Sequence, residues 1–138
     1  MKRMVFFFGL LTLLLLAACG GSSGPVKIDS ITLSKGDGSG NAGETVTSFS
    51  PADHDFHAAV KFENLASGSK VTYIWVAVNA GGATNQKLWE KELVTDEENL
   101  RADFSLSNSN NKLFPAGDYK IDIYLDDELI DTVRYKVQ

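Results

Sequence analysis

Between Asp55 and Glu63 the chain alternates. Phe56, Ala58, Val60 and Phe62 fall on one parity, and Asp55, His57, Lys61 and Glu63 on the other, with Ala59 neutral. A period of two with one apolar parity predicts a half-buried β-strand with its charged side to solvent. The pattern recurs at Leu100, Ala102, Phe104 and Leu106, set against Arg101, Asp103, Ser105 and Ser107. It recurs again at Tyr119, Ile121, Ile123 and Leu125, set against Asp118, Lys120 and Asp122. Asp126-Asp127 then turns the chain, and Leu129, Val133, Tyr135 and Val137 share one side of a returning strand, so the last two strands are expected to form an antiparallel hairpin. Val71 to Val78 is apolar on both parities, as in a central strand or one covered by a neighbour. Val26 and Ile28 share one phase while Ile31 and Leu33 share the other, which predicts a bulge or a change of sheet near Asp29-Ser30.

Other stretches are less regular. Residues 35–44 contain Gly36, Gly38, Gly40 and Gly43 and read as a loop, with a short strand over 45–49 before Pro51. Asp37, Ser39 and Asn41 alternate as at the start of a calcium loop, but Ala42 and Ser48 stand where that loop needs glycine and glutamate. Residues 87–94 carry Leu88, Trp89 and Leu93 among Lys87, Glu90, Lys91 and Glu92, which suits a charged edge strand, with a helical turn as the alternative. Seven or eight short strands with no long helix predict an all-β, antiparallel sandwich of about seven strands over residues 26–138.

The start of the chain is different. Lys2 and Arg3 precede an apolar run from Met4 to Leu16, which is shorter than the roughly 20 residues a spanning helix needs. Ala17 and Ala18 follow, completing a secretory signal over 1–18 that stands apart from the fold. Leu16-Ala17-Ala18-Cys19 resembles the lipobox of bacterial lipoproteins. The resemblance implies cleavage before Cys19, diacylglycerol on its sulfur and acylation of the new amino group. It also implies a lipid-anchored protein of the cell envelope. Gly20 stands where an aspartate would resemble an inner-membrane retention signal, so the implied place is the outer membrane where the cell has one, and otherwise the outer face of the cell membrane. Two or three acyl chains hold firmly where one is marginal. Residues 19–25 then form the lipidated end and a Gly/Ser-rich tether closed by Pro25.

Near the other end, Leu113-Phe114-Pro115-Ala116-Gly117-Asp118-Tyr119 resembles the E–F corner of fibronectin type III and immunoglobulin-like domains. Tyr119 would be the tyrosine-corner residue, its hydroxyl bonded to nearby backbone, and Trp75 the core tryptophan on strand C. Residues 50–138 also look like uncharacterised bacterial lipoproteins with a single Ig-like domain, through Pro115, Gly117, Tyr119, Tyr124, Leu125 and Asp126. True immunoglobulin domains carry a cysteine pair that this chain lacks.

Charge and composition narrow the chemistry. The full chain has a net charge of −5 and a pI near 4.9, and loss of Lys2 and Arg3 makes the mature chain more acidic, so nucleic acid is not an expected partner. Asp53, His54, Asp55 and His57 are the one cluster of metal-capable side chains, yet His54 and His57 would point to opposite faces of a strand. No serine sits on a nucleophile elbow, Cys19 is committed to lipid, and no glycine loop leads into a helix. The expectation is therefore a non-enzymatic module with no cofactor, held at the membrane through Cys19 and binding an envelope protein or glycan. An envelope ligand or metal carrier using residues 53–57 is the alternative. Trp89 and Tyr124, which fall off the inward rows, are the candidate partner contacts.

Overall fold

The computed structural model describes residues 24–108 and 112–138. Cys19, the signal and most of the tether lie outside the described residues. Eight strands form: β1 (Lys27–Gly36), β2 (Ala42–Thr45), β3 (Asp55–Glu63), β4 (Ser69–Ala80), β5 (Ala83–Thr95), β6 (Leu100–Ser107), β7 (Gly117–Leu125) and β8 (Glu128–Val137). They make two antiparallel four-stranded sheets, one ordered β2-β1-β3-β6 and the other β5-β4-β7-β8. This is the expected all-β sandwich.

The alternating rows supply the core. Phe56, Val60 and Phe62 of the first sheet meet Val71, Tyr73, Trp75, Tyr119, Ile121 and Ile123 of the second, all at most 1 % exposed. β4 is central in its sheet, which explains why both its parities are apolar. β5 is the edge and is extended throughout, so residues 87–94 are strand and not helical turn. The phase slip in β1 is a bulge: Ile28 pairs with Phe62 and Ser30 with Lys61, leaving Asp29 extra. Its carboxylate turns back to Lys61 Nζ at 2.9 Å.

Three local expectations change. The presumed loop over 35–44 ends in β2, whose four residues are all exposed and which forms by pairing Ser34 with Thr45 and Gly36 with Ala42. The short strand over 45–49 reduces to a crossing. Val46 N–H still donates to Leu33 of the first sheet, but Phe49 donates to Lys136 of β8 and accepts from Gln138 just past it, both at 2.9 Å. Leu129 does not share the inner side with Val133, because β8 bulges at Ile130: Tyr124 pairs with Leu129 and Ile123 with Asp131. One extra residue turns Leu129 to the outer face, where it is 51 % exposed.

Aromatic packing closes one end of the sandwich. Phe49 stacks on Phe56 at 4.1 Å between centroids, Phe114 packs on Phe56 at 4.2 Å, and Tyr135 sits beside Tyr119 at 5.5 Å. The Tyr119 hydroxyl donates to the Pro115 carbonyl at 2.6 Å, four residues back, forming the corner. Gly117 makes that corner possible. It has φ of +154°, and a Cβ there would lie 2.3 Å from the Asn79 carbonyl oxygen.

Three outcomes follow. Tyr119→Phe is expected to cost about 1 kcal/mol in urea unfolding, the usual worth of one hydrogen bond. Tyr73→Phe and Tyr135→Phe are expected to hold or raise stability, because their buried hydroxyls have no partner among the described residues. A drop of 1 kcal/mol in either would reveal a bond to those hydroxyls. Gly117→Ala is expected to cost about 2 kcal/mol or more, from backbone strain together with the clash; an unchanged midpoint would contradict the corner geometry.

Burial also sets the alkaline limit. It raises the phenols of Tyr73 and Tyr135 far above their ordinary value. Both phenols then stay protonated in the fold after the unfolded chain begins to ionise. Their stabilisation is complete below about pH 10 and is lost above it, at about 1.4 kcal/mol per pH unit for each tyrosine. Chemical unfolding between pH 9 and 12 measures this slope, and Tyr73→Phe should remove one tyrosine's share (~1.4 kcal/mol per unit).

Candidate functional site

The two ends of the sandwich differ. At one end are the entry into β1, the β3–β4 turn, the β5–β6 turn at 96–99 and the β7–β8 turn at 126–127. Asn64 ties the entry to this end by donating to the Pro25 carbonyl at 3.1 Å. The turns here carry Asp96, Glu97, Glu98, Asp126, Asp127 and Glu128. Lys70 engages the last turn, with its N–H on Asp126 at 2.8 Å and its Nζ on Asp127 at 2.6 Å. The β1–β2 hairpin, the Gly81-Gly82 turn and the link from β6 to β7 lie at the opposite end.

The strand register separates the residues of the 53–57 cluster. His54 is exposed, and its carbonyl accepts from Asn108 N–H at 3.2 Å. Asp53 caps its own turn by accepting from Ser50 N–H at 2.7 Å. Among the described residues, no group of three or more His, Cys, Asp or Glu side chains is placed to hold a metal.

His57 departs from expectation. Its parity puts it on the outer face of the first sheet, yet it is 4 % exposed. The β1–β2 hairpin supplies the cover: Gly40, Asn41 and Ala42 lie across a cavity of about 280 Å³ from His57, Asp103 and Ser105. Pairing of β3 with β6 sets His57 opposite Ser105, two pairs along from Ala59 and Asp103 and on the same face. His57 Nδ1 lies 3.2 Å from Asp103 Oδ1, whereas Nε2 is buried with no partner among the described residues. A carboxylate beside Nδ1 accepts the proton carried there.

Asp37 shapes the hairpin above. Its carboxylate accepts from the Ser39 N–H at 2.7 Å and the Asn41 N–H at 3.1 Å. These backbone bonds, Ser39's first, hold the carboxyl below its ordinary pKa. The Asp37-Ser39-Asn41 spacing thus forms a self-bonded turn.

Trp89 and Tyr124 do not share a surface. Trp89 pairs with Trp75 and packs against the core, its ring 5.5 Å from Trp75 at 57°. A bulge at Leu88 puts it in that phase: Trp75 pairs with Trp89 and Val76 with Lys87. Tyr124 sits on the outer face of the same sheet between Thr72 and Leu129. The contact that sequence reasoning missed is His57–Asp103, whose members are separated by 46 positions and joined only through the β3–β6 register.

No family model matches the chain, and no curated protein matches it. Among solved structures, an immunoglobulin-like protein from Pseudomonas aeruginosa superposes with a TM-score of 0.50 at 12 % identity, over 86 % of this chain and 100 % of that one. Part of a β-glucosidase from Kluyveromyces marxianus reaches 0.44 at 14 % identity, over 79 % of this chain and 14 % of that one, a level that bears on neither fold nor activity. The first similarity, taken with the two sheets and the tyrosine corner, makes this an immunoglobulin-like β-sandwich in fold.

Proposed function

We propose that this chain is a non-catalytic lipoprotein of the cell envelope that displays one immunoglobulin-like module to a protein or glycan partner. The observation that carries the reading is Leu16-Ala17-Ala18-Cys19 followed by a Gly/Ser tether that enters the sandwich beside Asn64. Lipid on Cys19 then makes that end membrane-proximal. Its acidic turns oppose adhesion to an anionic lipid surface, so the domain stands away from the membrane and presents its far end.

The chemistry of the described residues fits a binding role. The one histidine–carboxylate pair, His57 and Asp103, has no serine hydroxyl on Nε2, so it lacks the nucleophile that would make it a hydrolytic unit.

Cys19→Ser is expected to move the protein from the membrane fraction to the soluble exported fraction; retention in the membrane would overturn the anchor. The orientation has its own check. A photo-crosslinking side chain at Leu113, 57 % exposed at the far end, is expected to capture a partner in native membranes, and one at Glu97 to capture little. Equal capture at both positions would contradict a display oriented by the tether.

A further inference from the structure

One side of the sandwich is open between the two sheets. β2 pairs only with Ser34 and Gly36, so among the described residues β1 has no strand beside it there from Lys27 to Leu33. Facing it, β8 is the edge of the second sheet. A groove of about 540 Å³ lies between them, with Ile31, Leu33, Val46 and Val133 as its apolar lining and Arg134 beside them. Those four residues pack on the core yet are only partly buried.

The β8 edge along this groove is closed at both ends and open between. At one end the Phe49 N–H donates to the Lys136 carbonyl at 2.9 Å, so Lys136 turns its backbone away from β7. At the other, the Thr132 N–H donates to the Asp131 carboxylate at 2.7 Å. Arg134 lies between and shares their parity: it pairs with Lys120, as Lys136 pairs with Asp118 and Thr132 with Asp122. Its N–H and C=O therefore point out of the sheet edge, and no bond among the described residues engages them there. A free donor and acceptor on an edge strand form a template for an extended backbone. The chain itself uses this edge in that way, since Phe49 bridges to Val137.

The side chains define what such a segment carries. A strand laid on β8 turns one parity toward Ile31, Leu33 and Val133 and the other toward the outer face beside Arg134. Arg134 is exposed and has no ion pair among the described residues, whereas Lys120 is paired with Asp122 at 2.7 Å and Lys136 with Asp118 at 3.3 Å. The free cation selects an acidic residue opposite it. It also disfavours a second copy of β8 at this edge, which would set Arg134 and Lys136 against their own kind.

We propose that β8 takes an extended peptide segment of a partner protein as an added strand centred on Arg134. The segment forms backbone hydrogen bonds with the Arg134 N–H and C=O, sets apolar side chains into the groove and places a carboxylate beside the guanidinium. This rests on the display reading for the partner to be met, and it narrows that partner to a protein. Arg134 lies in the half of β8 away from the 126–127 turn, toward the far end of the domain.

The chain's arginines are Arg3, Arg101 and Arg134, so nitrogen-15 arginine labelling of the full-length protein in detergent reports on the edge directly. Arg101, exposed on β6, is the internal reference. The probe is acetyl-Ser-Val-Glu-Val-Ser-amide. It is expected to shift the Arg134 amide saturably, with a Kd on the order of 1 mM, to slow that amide's exchange with water and to leave Arg101 still. The same peptide N-methylated at its central Val-Glu-Val has no N–H to donate there and is expected to bind about tenfold more weakly. Lysine in place of the glutamate is expected to weaken binding about threefold, and in Arg134→Glu, followed by calorimetry, the order of these two peptides should reverse. An unmoved Arg134, equal binding of the N-methylated peptide, joint movement of Arg101 or an unreversed order would each overturn the site. An Arg134 amide already protected in the free protein and released on dilution would give the edge to a second copy, which also overturns it. Membrane release of Cys19→Ser is read independently, so the anchor and the edge site fail separately.

Discussion

The chain has one cysteine, so no internal disulfide can hold the sheets together. Side-chain packing across the gap does that work, and it concentrates in one aromatic seam. Phe49, Phe56, Phe114, Tyr119 and Tyr135 lie in mutual ring contact at one end, and Trp75 fills the middle. Large rings bury much area at little conformational cost, which suits a domain without covalent support. The seam dictates the path around it. Phe49 can join only if the chain leaves β2 and crosses to β8, and Tyr119 can seat its hydroxyl only if Gly117 lets the backbone pass close to Asn79.

What could be read beforehand was whatever depends on local period. β3 begins and ends where its alternation does, at Asp55 and Glu63, because both its neighbours pair along its full length. The bulge at Asp29 was legible since clean apolar residues flank it and change phase. The bulges at Leu88 and Ile130 do the same thing but were hidden. Charged and apolar residues mix there on edge strands, so no phase existed to be broken. Hence Trp89 turns inward and Leu129 outward, against expectation. β2 was illegible for another reason: Ala42-Gly43-Glu44-Thr45 has no apolar row, and its strand is imposed by β1.

The site was less legible than the fold. Parity correctly assigned His57 to the outer face, and solvation follows from parity only when nothing crosses that face. Here the hairpin from β1 folds back over it, a contact set by the Asp37 turn and not by any residue near position 57. The tyrosine corner shows the opposite case. Pro115, Gly117 and Tyr119 are close in sequence, and the hydroxyl bond spans four residues, so the whole device was written in one stretch.

A buried imidazole outside the core needs a physical reason. Leucine or phenylalanine at position 57 would fill space under the hairpin without a polar atom to satisfy, and packing alone would favour either. Local choices in natural sequences agree with the fold except where function overrides them. Of the other buried polar atoms without partners among the described residues, those of Tyr73, Trp75 and Tyr135 belong to rings whose apolar bulk builds the core, so their polar ends are incidental to packing, and Thr72 Oγ1 is a hydroxyl on the outer face of the second sheet. His57 differs from those rings, because it lies on the far side of the sheet from that seam. Its Nδ1 meets Asp103, which orients the ring, and its buried Nε2 has no partner among the described residues. The ring beneath the glycine-rich hairpin is thus held by one contact across the β3–β6 register, on the end away from the tether.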